Sequence, residues 1–215
     1  MKNNNYKSYC DELNYAVKKY PSLSIREIDN KKILKGILDI VNDDHKTIGH
    51  YLIEIHFIDE FPFRFPNLFE IGGAILNHAD WHKYEDHRCC ITVLPDEIIK
   101  CKSGITIVEF IEKYSRSFFA NHIHRKLTGH YLNGEYSHGK KGLLEFYIDL
   151  LKTTEPKIWV NYIKHVFSGS IYSTDRNNDC FCGSKVKFKK CHKVIFDKLW
   201  DIGRQQIFSD FKIIL

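Results

Sequence analysis

The fold is decided by residues 51–91, which read YLIEIHFIDEFPFRFPNLFEIGGAILNHADWHKYEDHRCCI. In residues 51–57, Tyr, Ile, Ile and Phe alternate with Leu, Glu and His. This period of two is typical of a strand that is buried mainly on one face. Pro62 and Pro66 stop that strand, and residues 67–71 predict another.

A polar loop, residues 77–88, follows the second strand and leads to Cys89 and Cys90. The loop is rich in His, Asp and aromatic residues, which can control the ionisation of a neighbouring thiol. The pattern therefore predicts a reaction centre at the cysteine pair. A buried structural role for either cysteine stays open, because free cysteines often behave as small hydrophobic residues.

Composition indicates an ordered globular protein. Of 215 residues, 43% are hydrophobic and 14% aromatic, and the net charge is +5. That charge allows an acidic partner or nucleic acid without requiring either, and we do not expect nucleic acid. The N-terminus lacks the features of a signal or transit peptide, and no apolar run approaches the ~18 residues of a membrane span. We expect a soluble, cytoplasmic protein without a membrane partner.

The predicted fold class is α+β, with an antiparallel meander flanked by helices. The predicted elements are a helix at 6–20, strands at 23–28, 33–41, 51–57 and 67–71, a helix at 106–119, a loop at 121–142, helices at 143–152 and 156–167, a linker at 168–179, and a C-terminal helix from 194.

This order of elements, over roughly residues 5–120, resembles the ubiquitin-conjugating (UBC) fold. Members of that family carry a Tyr-Pro-Phe-x-x-Pro turn, similar to the sequence from Phe61 to Pro66 here, and a catalytic Cys-Leu, similar to Cys90-Ile91. The resemblance implies a UBC-like four-stranded meander and a cysteine that carries an acyl group as a thioester. The family's His-Pro-Asn tripeptide is absent.

The resemblance also implies roles for particular residues. If Cys90 is the catalytic cysteine, residues 80–82 fall where His-Pro-Asn would lie, and His82 stands at the asparagine position as a donor to the oxyanion. With Cys89 as the nucleophile, that position would be a tryptophan, so we favour Cys90. Cys101 is a third candidate in the loop expected before the next helix. It either lines the entrance to the active site or is an ordinary exposed cysteine.

A second cluster lies near the C-terminus, at Cys180, Cys182, Cys191 and His192. Three cysteines and a histidine form a complete tetrahedral set for zinc, which predicts a structural Zn²⁺ site. The alternative is unliganded cysteines. The spacing Cys-x-Cys-Gly-Ser followed by Cys-His resembles the SEC-C motif, a small docking element for proteins or nucleic acid.

We therefore expect a UBC-like domain at 1–120, a connector and helical extension at 121–168, and a SEC-C-like module at 169–215. The expected function is transfer of a ubiquitin-like protein, or of a target's own C-terminus, to a lysine. Similarity to stand-alone conjugating-like proteins of CBASS antiphage operons implies a cGAS-like nucleotidyltransferase as the target. A modifier and an activating enzyme would be separate partners. Two alternatives are a non-catalytic UBC-like binding module and, with less support, a zinc-dependent nucleic-acid-binding factor.

Overall fold

The structure, a computed structural model, describes residues 2–132, 136–167, 176–180 and 182–214. The chain divides into two compact units, which we call unit 1 (1–92 with 100–135) and unit 2 (93–99 with 136–215). The three-part division with boundaries at 120 and 168 stays a prediction. Within the described ranges, no helix combines the length and the hydropathy that a membrane-spanning segment needs.

Unit 1 is built on a four-stranded antiparallel sheet in the order β1-β2-β3-β4. The strands are β1 (Leu23–Ile28), β2 (Lys31–Val41), β3 (Thr47–His56) and β4 (Asn67–Glu70). Alternate residues face the core, so Leu38 pairs with Tyr51 and Leu34 with Ile55, all of them at most 4% exposed. The predicted α+β class and antiparallel meander are confirmed.

Helix α1 (Lys2–Lys19) covers the core face of this sheet. Tyr9, Leu13 and Ala16 recur at three- and four-residue spacings and are fully buried, which is the predicted apolar stripe. The Tyr9 hydroxyl donates a hydrogen bond of 2.7 Å to Ile55 O in β3. A buried phenol is thereby satisfied while its ring fills the core.

A long helix runs next to α1 in three segments: α3 (Ile107–Glu109), a π-helical segment (Phe110–Ser115) and α4 (Arg116–Thr128). In the π-helical segment the backbone bonds reach five residues back, as from Arg116 N–H to Ile111 O. Phe110, Ile111 and Phe119 of this long helix are fully buried in the core of unit 1.

The bounds predicted for the loop at 121–142 are wrong at both ends. Helix α4 continues to Thr128, and helix α5 already begins at Gly139. Although most residues of α4 are polar, His122 on this helix is fully buried and packs against Phe118. The helix ends where Gly129 adopts a φ of 85° and donates its N–H to Arg125 O at 2.8 Å.

Unit 2 is helical, with α5 (Gly139–Leu151), α6 (Pro156–Phe167), α7 (Lys193–Ile202) and α8 (Arg204–Ile214). Its core holds Tyr147, Trp159, Leu199 and Ile207, each at most 2% exposed. The Tyr147 hydroxyl donates to Asp210 Oδ2 at 2.8 Å. Burial raises the pKa of Asp210, although this hydrogen bond opposes the rise.

The single C-terminal helix predicted from residue 194 is wrong, because Gly203 separates α7 from α8. Its φ of 84° and ψ of 150° are open to glycine and strained for other residues. The break lets Ile202 and Ile207 both face the core of unit 2. Residues 168–175 of the predicted linker lie outside the described residues.

Helix α2 (Leu94–Cys101) was not predicted. Pro95 lies in its first turn, where its missing N–H costs nothing, and acidic side chains occupy the same turn. These start signals are present in the sequence, but eight residues offered too short a periodic pattern to distinguish a helix from a loop.

Candidate active site and candidate metal centre

The cysteine loop closes as a small hairpin beside β4. Lys83 pairs with Cys89 in an antiparallel bridge, and Tyr84 N–H donates to Arg88 O at 2.9 Å. Cys89 N–H donates to Leu68 O at 2.7 Å, which attaches the hairpin to the sheet. The loop is therefore held by backbone hydrogen bonds on two sides.

A fully buried ion pair lies beneath this hairpin. Lys83 Nζ is 2.5 Å from Glu70 Oε2 and 3.0 Å from Ile75 O, and neither charged side chain is exposed. The carboxylate of Glu70 also accepts the backbone N–H groups of Ala74 and Ile75. A buried ion pair tolerates its desolvation only when further hydrogen bonds satisfy it, as they do here.

The three candidate cysteines have different surroundings. Cys90 is half-buried, whereas Cys89 is 7% exposed and lies next to the buried ion pair. Burial raises the pKa of Cys89 well above its usual range, since the effect of Lys83 is smaller and Glu70 opposes it. This environment disfavours Cys89 as a thiolate, and both catalytic assignments stay predictions.

Cys101 is the last residue of α2 and is fully buried in the core of unit 1. The expectation that it lies in a loop, exposed or lining the entrance to the active site, is therefore wrong. The start signals of α2 place this cysteine on a helix, and the helix directs it into the core.

The structure brings His82 and Cys90 together. A ring nitrogen of His82 lies within 4.8 Å of Cys90 Sγ, and Cys90 N–H donates to His82 O at 2.8 Å. The Tyr84 hydroxyl is hydrogen-bonded to the Cys90 side chain, and burial together with this bond raises the pKa of Tyr84 to about 12. A neutral phenol can donate to a thiolate, so the site offers Cys90 a hydrogen-bond donor.

Helix α4 supplies residues to this site that the sequence analysis missed. His122 lies in edge contact with Tyr131, with 5.2 Å between ring centroids, and Tyr131 is in turn 5.5 Å from His82. Burial lowers the pKa of His122 to about 3. Phe118, His122 and Arg125 follow a helical i, i+4, i+7 spacing, but two of the three are polar, so the sequence shows no apolar stripe that would mark this face of α4.

The predicted zinc ligands come together in unit 2. One ligand atom from each of Cys180, Cys182, Cys191 and His192 lies within 4.8 Å of the others. Cys182 Sγ and Cys191 Sγ are 3.6 Å apart, and His192 Nδ1 is 3.2 Å from Cys180 Sγ. A tetrahedral zinc site with Zn–S bonds of about 2.3 Å has ligand separations of roughly 3.5 to 3.8 Å. The Sγ–Sγ separation lies in this range and the Nδ1–Sγ separation is slightly shorter, so the donor set fits zinc after a small adjustment of the ligands.

The hydrogen bonds around the ligands also fit a metal site. The Tyr162 hydroxyl is 2.7 Å from His192 Nε2, so the ring can present Nδ1 to a metal. Burial lowers the pKa of His192, which favours the neutral imidazole that metals bind. A hydrogen bond with the Ser184 side chain lowers the pKa of Cys182 to about 7.

The backbone forms a turn that presents these ligands, which we call the zinc knuckle (180–192). Cys180 N–H donates to Val186 O at 2.8 Å, and Gly183, with a φ of 78°, donates its N–H to Cys180 O. Phe188 is 6% exposed and meets Phe196 edge to face at 5.4 Å. The knuckle is thus anchored on the core of unit 2.

Residues 176–193 also carry an unusual concentration of charge. They hold six of the chain's 32 Lys and Arg residues but only one of its 27 Asp and Glu residues. Their net charge of +5 equals that of the whole chain. Lys185, Lys187 and Lys190 are exposed, so this segment presents a basic surface to solvent.

Comparison with known families gives one match, between residues 176–193 and the SEC-C motif. No curated protein and no solved structure matches the chain. The match covers the segment in which the four ligand residues converge, and it leaves unit 1 without a family. The C-terminal segment thus matches the SEC-C motif, and its Cys₃His cluster fits a zinc knuckle.

Proposed function

We propose that this protein is a ubiquitin-conjugating-like enzyme that carries an acyl group as a thioester on Cys90. The observation that carries the proposal is the environment of Cys90: a half-buried thiol with a His82 ring nitrogen within 4.8 Å and a hydrogen bond to Tyr84. The order of helix, antiparallel meander, loop and cysteine also supports the proposal, because the resemblance to the UBC family implies this order.

The proposed reaction has two steps. The Cys90 thiolate attacks the carbonyl carbon of an acyl donor that a separate activating enzyme supplies, and the donor's leaving group departs as the C–S bond forms. A lysine amine of the target then attacks the thioester, so a C–N bond forms, the C–S bond breaks and the thiolate is regenerated. The amine loses its proton to water, and His82 donates a hydrogen bond to the oxyanion.

The acyl donor in this proposal is a ubiquitin-like protein or the target's own C-terminus. The resemblance to stand-alone conjugating-like proteins suggests a cGAS-like nucleotidyltransferase as the target, within CBASS antiphage defence. In this scheme the zinc knuckle holds a partner and leaves the chemistry to unit 1, because its four protein ligands fill a tetrahedral shell.

The test is adduct formation with the purified activating enzyme, acyl donor and target, read on non-reducing gels. Cys90→Ser should replace a thiol-labile adduct with a more stable oxyester, because an alkoxide is a worse leaving group than a thiolate. Cys89→Ser should retain the labile adduct. His82→Ala should still form the thioester on Cys90. It should transfer the acyl group to lysine roughly 10²-fold more slowly, which is the scale for losing one oxyanion donor.

The second candidate is a non-catalytic UBC-like module that docks a partner through the zinc knuckle, favoured by the absence of His-Pro-Asn. Stable partner binding without any adduct on the wild-type protein would support it and would refute the enzyme. A labile adduct that persists in Cys90→Ser and disappears in Cys89→Ser would move the nucleophile to Cys89.

A further inference from the structure

Arg125 joins α4 to the loop that carries His82. One terminal nitrogen, NH1, donates to Asp80 O and to the Tyr131 hydroxyl. The guanidinium carbon also lies 4.1 Å from the ring centroid of Trp81 and 4.7 Å from that of Tyr131. We call this arrangement of Arg125, Asp80, Trp81 and Tyr131 the Arg125 clamp.

The clamp surrounds His82. Asp80 and Trp81 immediately precede His82 in the chain, and the ring of Tyr131 meets the His82 ring edge to face at 5.5 Å. His82 has a φ of 46°, a left-handed conformation that is uncommon outside glycine. Such a backbone persists only where its surroundings fix it, and Arg125 contacts the residues on two sides of it.

The backbone of His82 also reaches the cysteine, because its carbonyl accepts the N–H of Cys90 at 2.8 Å. A displacement of the turn at residues 80–82 would therefore move both the imidazole and the hydrogen bond that places Cys90. The positions of the two groups depend on one short segment, and Arg125 holds that segment to α4.

The chemistry of the guanidinium group explains why arginine suits this position. Its planar face stacks on aromatic rings while its N–H groups donate in the plane, so one side chain contacts Trp81 and Tyr131 and binds two oxygens. A lysine ammonium could donate to one of the oxygens but could not stack in the same way. Arg125→Lys should therefore retain only part of the effect.

We infer that Arg125 is a positioning residue, which holds the turn at residues 80–82 so that the His82 imidazole faces Cys90. Its catalytic consequence rests on the proposed function. The positioning itself does not, since it can be measured on the isolated protein without any partner.

The first experiment measures modification of each histidine by diethyl pyrocarbonate, read by mass spectrometry. His82 is 9% exposed, so it should react slowly in the wild type. In Arg125→Ala its rate should rise towards that of exposed His45, whereas the rate of half-buried His56 in β3 should stay unchanged. Arg116→Ala is the matched control, because Arg116 lies on the same helix with its guanidinium 5.3 Å from the ring of Tyr20.

The second experiment separates loading from discharge. Arg125→Ala should slow discharge to lysine by up to ~10²-fold, the scale for misplacing a catalytic group by about 1 Å. It should slow the loading of Cys90 less, because loading needs the thiol but not the His82 donor. Arg125→Lys should be intermediate, and Arg116→Ala should match the wild type.

Each outcome decides the inference. Continued protection of His82 in folded Arg125→Ala would overturn it, as would equal losses in loading and discharge. Loss of His82 protection in Arg125→Ala, together with the absence of any adduct on the wild-type protein, would support the clamp and refute the proposed enzyme. If Arg125→Ala fails to fold by circular dichroism, Arg125→Lys and Tyr131→Phe carry the same test, and unchanged His82 reactivity in both would overturn the inference.

Discussion

The cysteine loop and the zinc knuckle both bring sulfur and imidazole groups together, but they do so by different means. The four ligands of the knuckle lie within residues 180–192, and a metal would join them directly. The loop that carries His82 and Cys90 is bonded instead to Glu70 in β4 and Arg125 in α4. One site is local in sequence, and the other is assembled from distant residues.

This difference predicts how each site fails. A structural metal supplies most of the free energy that orders a small knuckle, so removing it should disorder the knuckle cooperatively. The loop has many smaller supports, and each should fail separately. The predictions that follow test this contrast, from the largest expected effect to the smallest.

The largest effect should come from the metal. The purified protein should carry about one zinc per chain, and loss of zinc should cost the knuckle on the order of 10 kcal/mol. Hydrogen exchange should rise in residues 182–202 after chelation, while β2 and β3 stay protected. Cys180→Ser should lose the metal, and Cys10→Ser, which changes a cysteine outside the cluster, should retain it. Protein purified without chelator that contains no zinc would contradict this.

The buried ion pair should give the next effect. Lys83→Ala leaves the Glu70 carboxylate buried without its cation, which should cost about 3–5 kcal/mol in urea unfolding. The double variant Lys83→Met/Glu70→Leu should recover only part of this loss, because the N–H groups of Ala74 and Ile75 lose their acceptor. Lys113→Ala, which breaks an exposed pair with Glu109, should leave stability nearly unchanged. A Lys83→Ala protein as stable as the Lys113→Ala control would show that the pair does not support the loop.

The smallest effect concerns pH and His122. Because burial lowers its pKa to about 3, the folded state holds His122 neutral while the unfolded chain takes up a proton below about pH 6.5. The free energy of unfolding therefore does not depend on this histidine well above pH 6.5. It decreases as the pH falls from 6.5 towards 3, because the unfolded chain binds the proton. Relative to His122→Phe, the wild type should lose about 1.4 kcal/mol between roughly pH 7.5 and 5.5. Parallel stability curves for the two proteins would contradict this.

The two regions also differ in how far the sequence predicted them. The knuckle was predictable because its ligands are close in sequence and their number satisfies zinc. The meander was predictable from period-two alternation in β2 and β3 and from the prolines that follow. Both signals are short-range, so a single sequence shows them directly.

The rest depended on long-range contacts that no local pattern reveals. The histidine-rich part of α4 resembles a loop in composition, and only its packing shows that His122 is buried and that Arg125 reaches Asp80. Cys101 was expected in a loop because the eight residues of α2 give a weak periodic signal. Lys83 and Glu70 are thirteen residues apart, and each alone has the sequence character of an exposed charge.

The π-helical segment at Phe110–Ser115 has a consequence for the direction in which α4 presents its side chains. Each residue of a regular α-helix turns the next side chain by about 100° around the axis. A π-helical turn holds more residues than an α-helical one, so the residues beyond it are rotated relative to those before it. The segment thus rotates the side chains of α4 around the helix axis relative to those at the start of the long helix. Phe110 and Ile111 are buried in the core of unit 1, and Arg125, four turns later, contacts the loop of His82. Deleting one residue from this segment would leave the composition of α4 intact and turn Arg125 away from its partners.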